Sequence, residues 1–161
     1  MDKEPMTRVG YEKITGELDF LKNKERPETV IALDEARQLG DLKENAEYHA
    51  AKDKLAIIDS QIGELGSIIS KAVIIDPETL PHDRVSFGST VELVDVETDE
   101  EFTYAIVGGV ESNAEKGLIS FNSPLAKQLL GKQEGDELTA TLPGGETSFE
   151  ILSVGYKELE L

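Results

Sequence analysis

The chain has no cysteine and no tryptophan, and only 2 histidines and 2 methionines in 161 residues. Disulfides, a thiol nucleophile and any thiolate zinc site are thereby excluded, and a reducing compartment such as the cytoplasm is the natural setting. No basic start leads into an apolar core, and no apolar run approaches the ~20 residues of a membrane span. A soluble chain with no membrane partner is therefore expected. Cations are also scarce, with 16 Lys+Arg against 33 Asp+Glu for a net charge of -17. Residues 1–75 hold 11 and 15 of these (net -4) and residues 76–161 hold 5 and 18 (net -13). A surface so acidic repels the phosphate backbone of free nucleic acid, whose binding rests on Lys and Arg. A protein partner is the better expectation.

The first half carries a helical pattern. Tyr48, Ala51, Leu55, Ile58, Ile62, Leu65 and Ile69 alternate spacings of 3 and 4, the seam of a coiled coil. Tyr11, Ile14, Leu18 and Leu21 show the same spacing upstream, Pro27 interrupts it, and Val30 and Leu33 resume it before Gly40. A kink or break is expected near Pro27. Folding the chain back about residue 44 pairs residues whose numbers sum to about 88, so that Val30 meets Ile58 and Leu33 meets Leu55. The result is an antiparallel helical hairpin with arms of roughly 50 Å and little core of its own. A monomer follows from a seam satisfied within one chain.

After Lys71 the texture changes. Pro77 and Pro81 mark a linker over 76–83 between a helical part, 1–75, and a second part, 84–161. Downstream, RVSFGSTVELVDV, EFTYAIVGG, GLISFN, ELTATLP and TSFEILSV are strand-like, and LPGGET marks a tight hairpin. SPLAKQLLG reads as a short helix with Ser123 as N-cap, Pro124 at the first helical position and Gly131 beyond the end. The fold class is α+β, a helical hairpin followed by a small α+β domain, with no internal repeat.

The stretch LGDLKENAEYHAAK, residues 39–52, places two acids, Asp41 and Glu44, in the hairpin turn. Turn chemistry alone accounts for both: Gly40 would end the first helix, and Asp41-x-x-Glu44 has the form of a capping box opening the second. Alternatively, two carboxylates at the end of a slender rod present hard oxygen ligands to a cation such as Mg²⁺ held by something else. The pair has no His or Cys set around it, so it is not a self-contained catalytic centre. Arg37 and Lys52 sum to 89 and would lie side by side across the helices, with Lys43 and Lys54 close in sequence. Such a patch is either ordinary salt pairing with Asp34, Glu47 and Asp53 or a phosphate contact. Tyr48 belongs to the seam, and His49, one residue off it, is expected to face solvent.

GDLKENAEYHAA at the turn and ISFNSPLAKQLLGK…GDELTATLPGGETSFEILSV near the end resemble the bacterial transcript-cleavage factors of the GreA/GreB family, and LDFLKNKERPE and DEEFTYAIVG extend the likeness over the whole chain. The resemblance implies a coiled-coil finger (1–75) that enters the secondary channel of a backtracked bacterial RNA polymerase, and an FKBP-like domain (84–161) that docks at the channel mouth. It implies no enzyme in its own right and no cofactor of its own. Mg²⁺ would be held jointly with the polymerase active site, with Asp41 helping to bind the ion and Glu44 polarising the attacking water. Arg37 and Lys52 would contact the nascent RNA 3′ end. Two other readings differ in class. One is a finger-shaped inhibitor of the same channel, which the Asp41-x-x-Glu44 turn disfavours. The other is a prolyl isomerase with a coiled-coil arm, for which the aromatics of the second half are expected to be core rather than pocket.

Overall fold

A computed structural model of the chain describes residues 3–41 and 45–161. Two compact units are present, one of residues 11–71 and one of residues 3–10 together with 72–161. The first unit is helical and the second is built on sheet, which is the expected α+β class.

The first helical arm is β1 (Glu4–Thr7) followed by α1 (Arg8–Phe20), a wider π turn at Leu21–Glu25, and α2 (Arg26–Arg37). The kink or break expected near Pro27 takes the form of an interruption of the α-helix by this π turn, while Phe20, Glu25 and Arg26 all keep right-handed helical angles. Proline has no N–H to donate, and its ring crowds the carbonyl four residues back. The chain answers with the π turn, in which the Arg26 N–H reaches back five residues to the Leu21 carbonyl. One extra residue in the turn re-phases everything after it. Ile14 and Leu21 are buried as the spacing requires, but beyond the turn the buried positions are Thr29 and Ala36, with Leu33 half-buried between them. Val30, expected on the seam, is only half-buried. The Thr29 hydroxyl is satisfied within the helix by donating to the Glu25 carbonyl at 2.8 Å.

The second arm, α3 (Ala46–Lys71), needs no such adjustment. Tyr48, Ala51, Leu55, Ile58, Ile62, Leu65 and Ile69 are all buried or half-buried, and Ile58 is 2% exposed. The two arms run antiparallel, and Arg26 Nε donates to Asp59 Oδ1 across them at 2.7 Å.

In the second unit, β2 (Ala72–Ile75) pairs in parallel with β1, Glu4 opposite Ala72 and Thr7 opposite Ile75. Neither strand was foreseen, and this pairing draws residues 3–10 out of the helical part to which 1–75 had been assigned. A single sheet of order β5-β4-β3-β7-β6 follows, comprising β3 (Thr90–Asp95), β4 (Glu101–Val107), β5 (Leu118–Ser120), β6 (Glu137–Leu142) and β7 (Gly145–Gly155). Only the β4–β5 pair is parallel. The short helix α4 (Pro124–Leu129) is capped by Ser123, whose oxygen accepts from the Ala126 N–H, and it buries Leu125, Ala126 and Leu129 against Leu138, Ala140, Phe149 and Ile151. The segment 77–89 is held by His82, whose Nε2 donates to the Pro77 carbonyl (2.7 Å) and whose Nδ1 is hydrogen-bonded to the hydroxyl of the buried Ser89 (2.6 Å).

One carboxylate is deliberately interior. Glu111 Oε1 accepts from the Thr7 N–H (2.5 Å) and Oε2 from the Gly108 N–H (3.3 Å), and the residue is 8% exposed. Thr7 in turn caps α1, its hydroxyl accepting from the Gly10 N–H at 3.1 Å. A Cβ at Gly10 would overlap the Glu111 carboxylate, so glycine is required by space there. Burial pushes the Glu111 carboxyl above its ordinary value of 4.5, although the Gly108 and Thr7 bonds pull it down. The folded state therefore holds this proton more tightly than the unfolded chain does. The group's contribution to stability is greatest below the unfolded value and is lost as pH rises through the folded one. Glu111→Gln, which cannot ionise, should gain on the wild type as pH rises above the ordinary carboxylate range in urea unfolding. A stability gap that does not change with pH would contradict this.

Candidate functional site

The turn between α2 and α3 starts where the first ladder runs out. The Gln38 N–H still bonds the Asp34 carbonyl at 3.2 Å and the Leu39 N–H bonds the Ala36 carbonyl at 3.1 Å, after which Gly40 takes φ +127. A residue with a Cβ is strained at that angle, so Gly40 redirects the chain as expected, three residues beyond the last helical residue.

The opening of α3 differs from the expected capping box. The helix begins at Ala46, and its N-cap is Asn45, whose Oδ1 accepts from the Tyr48 N–H at 3.0 Å. Asp41 lies four residues before that cap, so it is not the residue that opens the helix. Asn45 does a second job: its Nδ2 donates to the Ala36 carbonyl at 2.5 Å, tying the end of α2 to the start of α3. The amide orientation is unambiguous, because a carbonyl can only accept and a backbone N–H can only donate. Asn belongs to the strongest N-cap residues, and it sits three residues before the seam residue Tyr48. That was the available signal, masked in the sequence by the equally good form of Asp41-x-x-Glu44.

Asp41 is exposed. With Leu39, Asn45, Ala46 and Glu47 it lines a shallow depression at the turn, where Leu39 is 68% exposed. Glu44 and Lys43 lie outside the described residues. Among the described residues no group of three His, Asp or Glu side chains converges as a metal site. An exposed carboxylate fits a hard cation as one ligand, so Asp41 is suited to complete a coordination shell that another molecule mostly supplies.

The cations sit differently from expectation. Ala36 with Asn45 gives 36 + 45 = 81 and Arg26 with Asp59 gives 26 + 59 = 85, so the arms are offset from the expected sum of 88. Arg37, next to Ala36, is thus level with the start of α3, and Lys52 falls about two turns further along. Both are exposed. Arg37 lies 3.8 Å from Asp34 in an exposed i,i+3 pair, an interaction of at most a few tenths of a kcal/mol. Arg37 can therefore be drawn away from Asp34 by a phosphate. Tyr48 is half-buried on the seam with its ring 5.5 Å from that of His49, and His49 is exposed.

The second unit offers exposed apolar side chains at Val96, Val110 and Leu130. Its phenylalanines Phe102 and Phe149 pack edge to face at 6.0 Å within or against the core, as expected of strand aromatics. Among the described residues no helix is long and apolar enough to cross a membrane.

Two family models match the chain. That for the N-terminal part of transcription elongation factors covers residues 4–74, and that for the C-terminal part of transcription elongation factor GreA/GreB covers residues 80–156. The sequence is 78% identical over 161 residues to a protein of Aliarcobacter butzleri named transcription elongation factor GreA, covering 100% of both chains. It is 57% identical to the protein of the same name from Helicobacter hepaticus, covering 99% of this chain and 98% of that one. Among solved structures, GreA factor homolog 1 (Gfh1) of Thermus thermophilus is 29% identical with a TM-score of 0.44, covering 95% of this chain and 99% of that one.

Exposure and the cap predict the stability of the turn. Asp41→Ala, at an exposed side chain, should cost less unfolding free energy than Asn45→Ala. Asn45→Ala should cost about 1 kcal/mol or more, since it removes both a cap and a cross-turn bond. Urea melts of the two variants with the wild type check this, and equal losses would return the capping role to Asp41.

Proposed function

The chain belongs to the GreA/GreB family of transcription elongation factors, and on that premise we propose that it binds bacterial RNA polymerase and stimulates cleavage of the extruded RNA 3′ end in backtracked, arrested complexes. The observation that carries this reading is the division of labour at the turn. Asn45 caps α3, and the carboxylate of Asp41 is exposed at the turn, where a partner can reach it. In the proposed complex the helical hairpin enters the secondary channel and brings Asp41 to the polymerase's active-site Mg²⁺ as an added oxygen ligand. Glu44 orients and polarises the attacking water. Two-metal hydrolysis needs a clamp on both the entering and leaving oxygens, and the factor lends ligands to a site it does not own.

The chemistry restricts what the hairpin can be. A two-helix arm is narrow enough for a channel, and its own net charge of -4 is far milder than the -13 of residues 76–161. The more acidic unit is repelled by a channel holding RNA and stays outside, docking through exposed apolar side chains such as Val96, Val110 and Leu130. Arg37 and Lys52 contact the phosphates of the extruded strand, which positions it without reading its sequence. The protein acts as a monomer in the cytoplasm.

Adding the wild-type chain to a stalled, backtracked elongation complex with labelled RNA tests the reading, with release of 3′ fragments as the expected result. Asp41→Ala should lower the cleavage rate about 100-fold while leaving polymerase affinity unchanged, because docking is made elsewhere. Arg37→Ala with Lys52→Ala should weaken crosslinking to the RNA 3′ end and slow cleavage about 10-fold, an effect that shrinks as salt rises. Wild-type cleavage rates in the Asp41 variant would sink the proposed role of the turn.

A further inference from the structure

We propose that the sheet unit carries a binding site for a small carboxylate with an apolar body, in a cavity on the face of the sheet turned away from α4. The proposal is independent of the cleavage role of the turn, and every residue it uses belongs to one unit.

Strand alternation builds the floor. Val91 and Leu93 of β3 and Ile106 of β4 join the core that includes α4, so Thr90 and Ala105, one residue out of phase, face the other way. Thr90 stands opposite Ala105, and Ala105 opposite Leu118, in one row across β3, β4 and β5. On this face Ala105, Val107 and Leu118 form a second apolar cluster with Leu159, from the segment that follows β7. The cavity beside it has a volume of about 370 Å³ and is walled by Ala105, Leu118 and Leu159, which is the small end of the range for ligand sites. The loop that leads into β5 is fixed in place. The Ala105 N–H donates to the Gly117 carbonyl at 2.9 Å, and Gly117, at φ +72, approaches β4 so closely that a Cβ would lie 2.6 Å from the Thr103 carbonyl oxygen.

Packing leaves two features of the lining unexplained. Thr90 is 9% exposed, yet among the described residues its hydroxyl has no hydrogen-bond partner. Every side-chain nitrogen or oxygen wholly shut off from solvent among those residues does have one, so the Thr90 oxygen opens on the cavity that Thr90 lines. A hydroxyl so enclosed gains from a ligand oxygen placed against it. The other feature is charge. Residues 76–161 hold only 5 Lys+Arg, and two of them, Lys116 and Lys157, line this cavity. Lys116 has no ion-pair partner among the described residues, and Lys157 lies 3.9 Å from Glu92 in an exposed pair of the kind that contributes little.

Glu158 and Glu160 also border the opening, but both are exposed, on either side of the buried Leu159. Carboxylates are spread through the whole unit, so the gathering of cations is what sets this cavity apart. Ammonium groups can only donate, which selects an anionic head that accepts from Lys116, Lys157 and Thr90. The body of the ligand must be apolar to lie on Ala105, Leu118 and Leu159.

The experiment titrates octanoate, below its micelle concentration, into the full ¹⁵N-labelled chain. The backbone amides of Thr90, Ala105, Gly117 and Leu118 should shift saturably. Acetate, which has the head without the body, and octanol, which has the body without the charge, should each bind about 10-fold more weakly or worse, and octylammonium weaker still. Lys116→Gln combined with Lys157→Gln should weaken octanoate about 10-fold while leaving octanol binding and the urea midpoint unchanged, since both side chains are exposed. Thr90→Val keeps the shape and removes the hydroxyl, and should weaken octanoate about 5-fold. If that variant does not fold, the lysine pair decides alone. Unchanged octanoate affinity in the lysine variant, octylammonium binding as tightly as octanoate, or the lack of a saturable shift would each overturn the proposal. So would shifts centred on α3 or α4, which would mark adventitious binding to other apolar surface.

Discussion

Pro27 has no amide hydrogen to give to the helix ladder, and the architecture of the hairpin follows from how that lack is met. A break would have uncoupled the seam below it from the turn above it. The chain instead widens into a π turn at Leu21–Glu25, with the Arg26 N–H bonded to the Leu21 carbonyl, and continues helical. The buried positions of α2 are Thr29 and Ala36, with Val30 and Leu33 half-buried beside them. The Ala36 carbonyl, near the end of α2 and some fifteen Å from the π turn at 1.5 Å per residue, accepts from the Asn45 amide.

Two carboxylates show how environment assigns a role. Glu111 is enclosed, accepts two backbone N–H bonds and presses against Gly10, so its charge is consumed in holding β1, the start of α1 and the 108–111 loop together. Asp41 is exposed on a loop whose helix caps are provided by other residues. The first would be costly to remove because buried donors would lose their acceptor. The second is exposed at the surface, where another molecule can reach it. The same logic covers Arg37, whose exposed pairing with Asp34 is too weak to compete with a phosphate.

Charge and shape divide the remaining work. A two-helix unit has little interior, and its stability comes from one seam of alternating spacing reinforced by the Arg26–Asp59 bond. Among the described residues the larger core lies in the sheet unit, built where α4 meets β6 and where β3 and β7 turn Val91, Leu93, Phe149 and Ile151 inward. It also carries most of the negative charge, which suits a surface that contacts protein and shuns nucleic acid.

The amino-acid sequence by itself determined the α+β class, the α3 seam residue by residue, the five main strands, the capped helix at 124–129 and the family, because each rests on local periodicity, on cap and turn residues, or on ordered motifs. The turn was recognisable as the place of interest, with Gly40 and Asp41 in the roles of chain reversal and exposed acid. What only the tertiary structure decided depends on partners distant in sequence or on one residue of phase. The parallel pairing of residues 4–7 with 72–75 joins short segments with no alternation of their own. The π turn depends on how a proline-bearing helix meets its neighbour, and it shifted the arms from an expected sum of 88 to 81 and 85. The choice of Asn45 over Asp41 as N-cap was undetermined because both sit in acceptable capping frames, and the deciding group, the Ala36 carbonyl, belongs to the other helix. A side chain that must satisfy two backbone groups on two helices can be assigned only when both helices are in place.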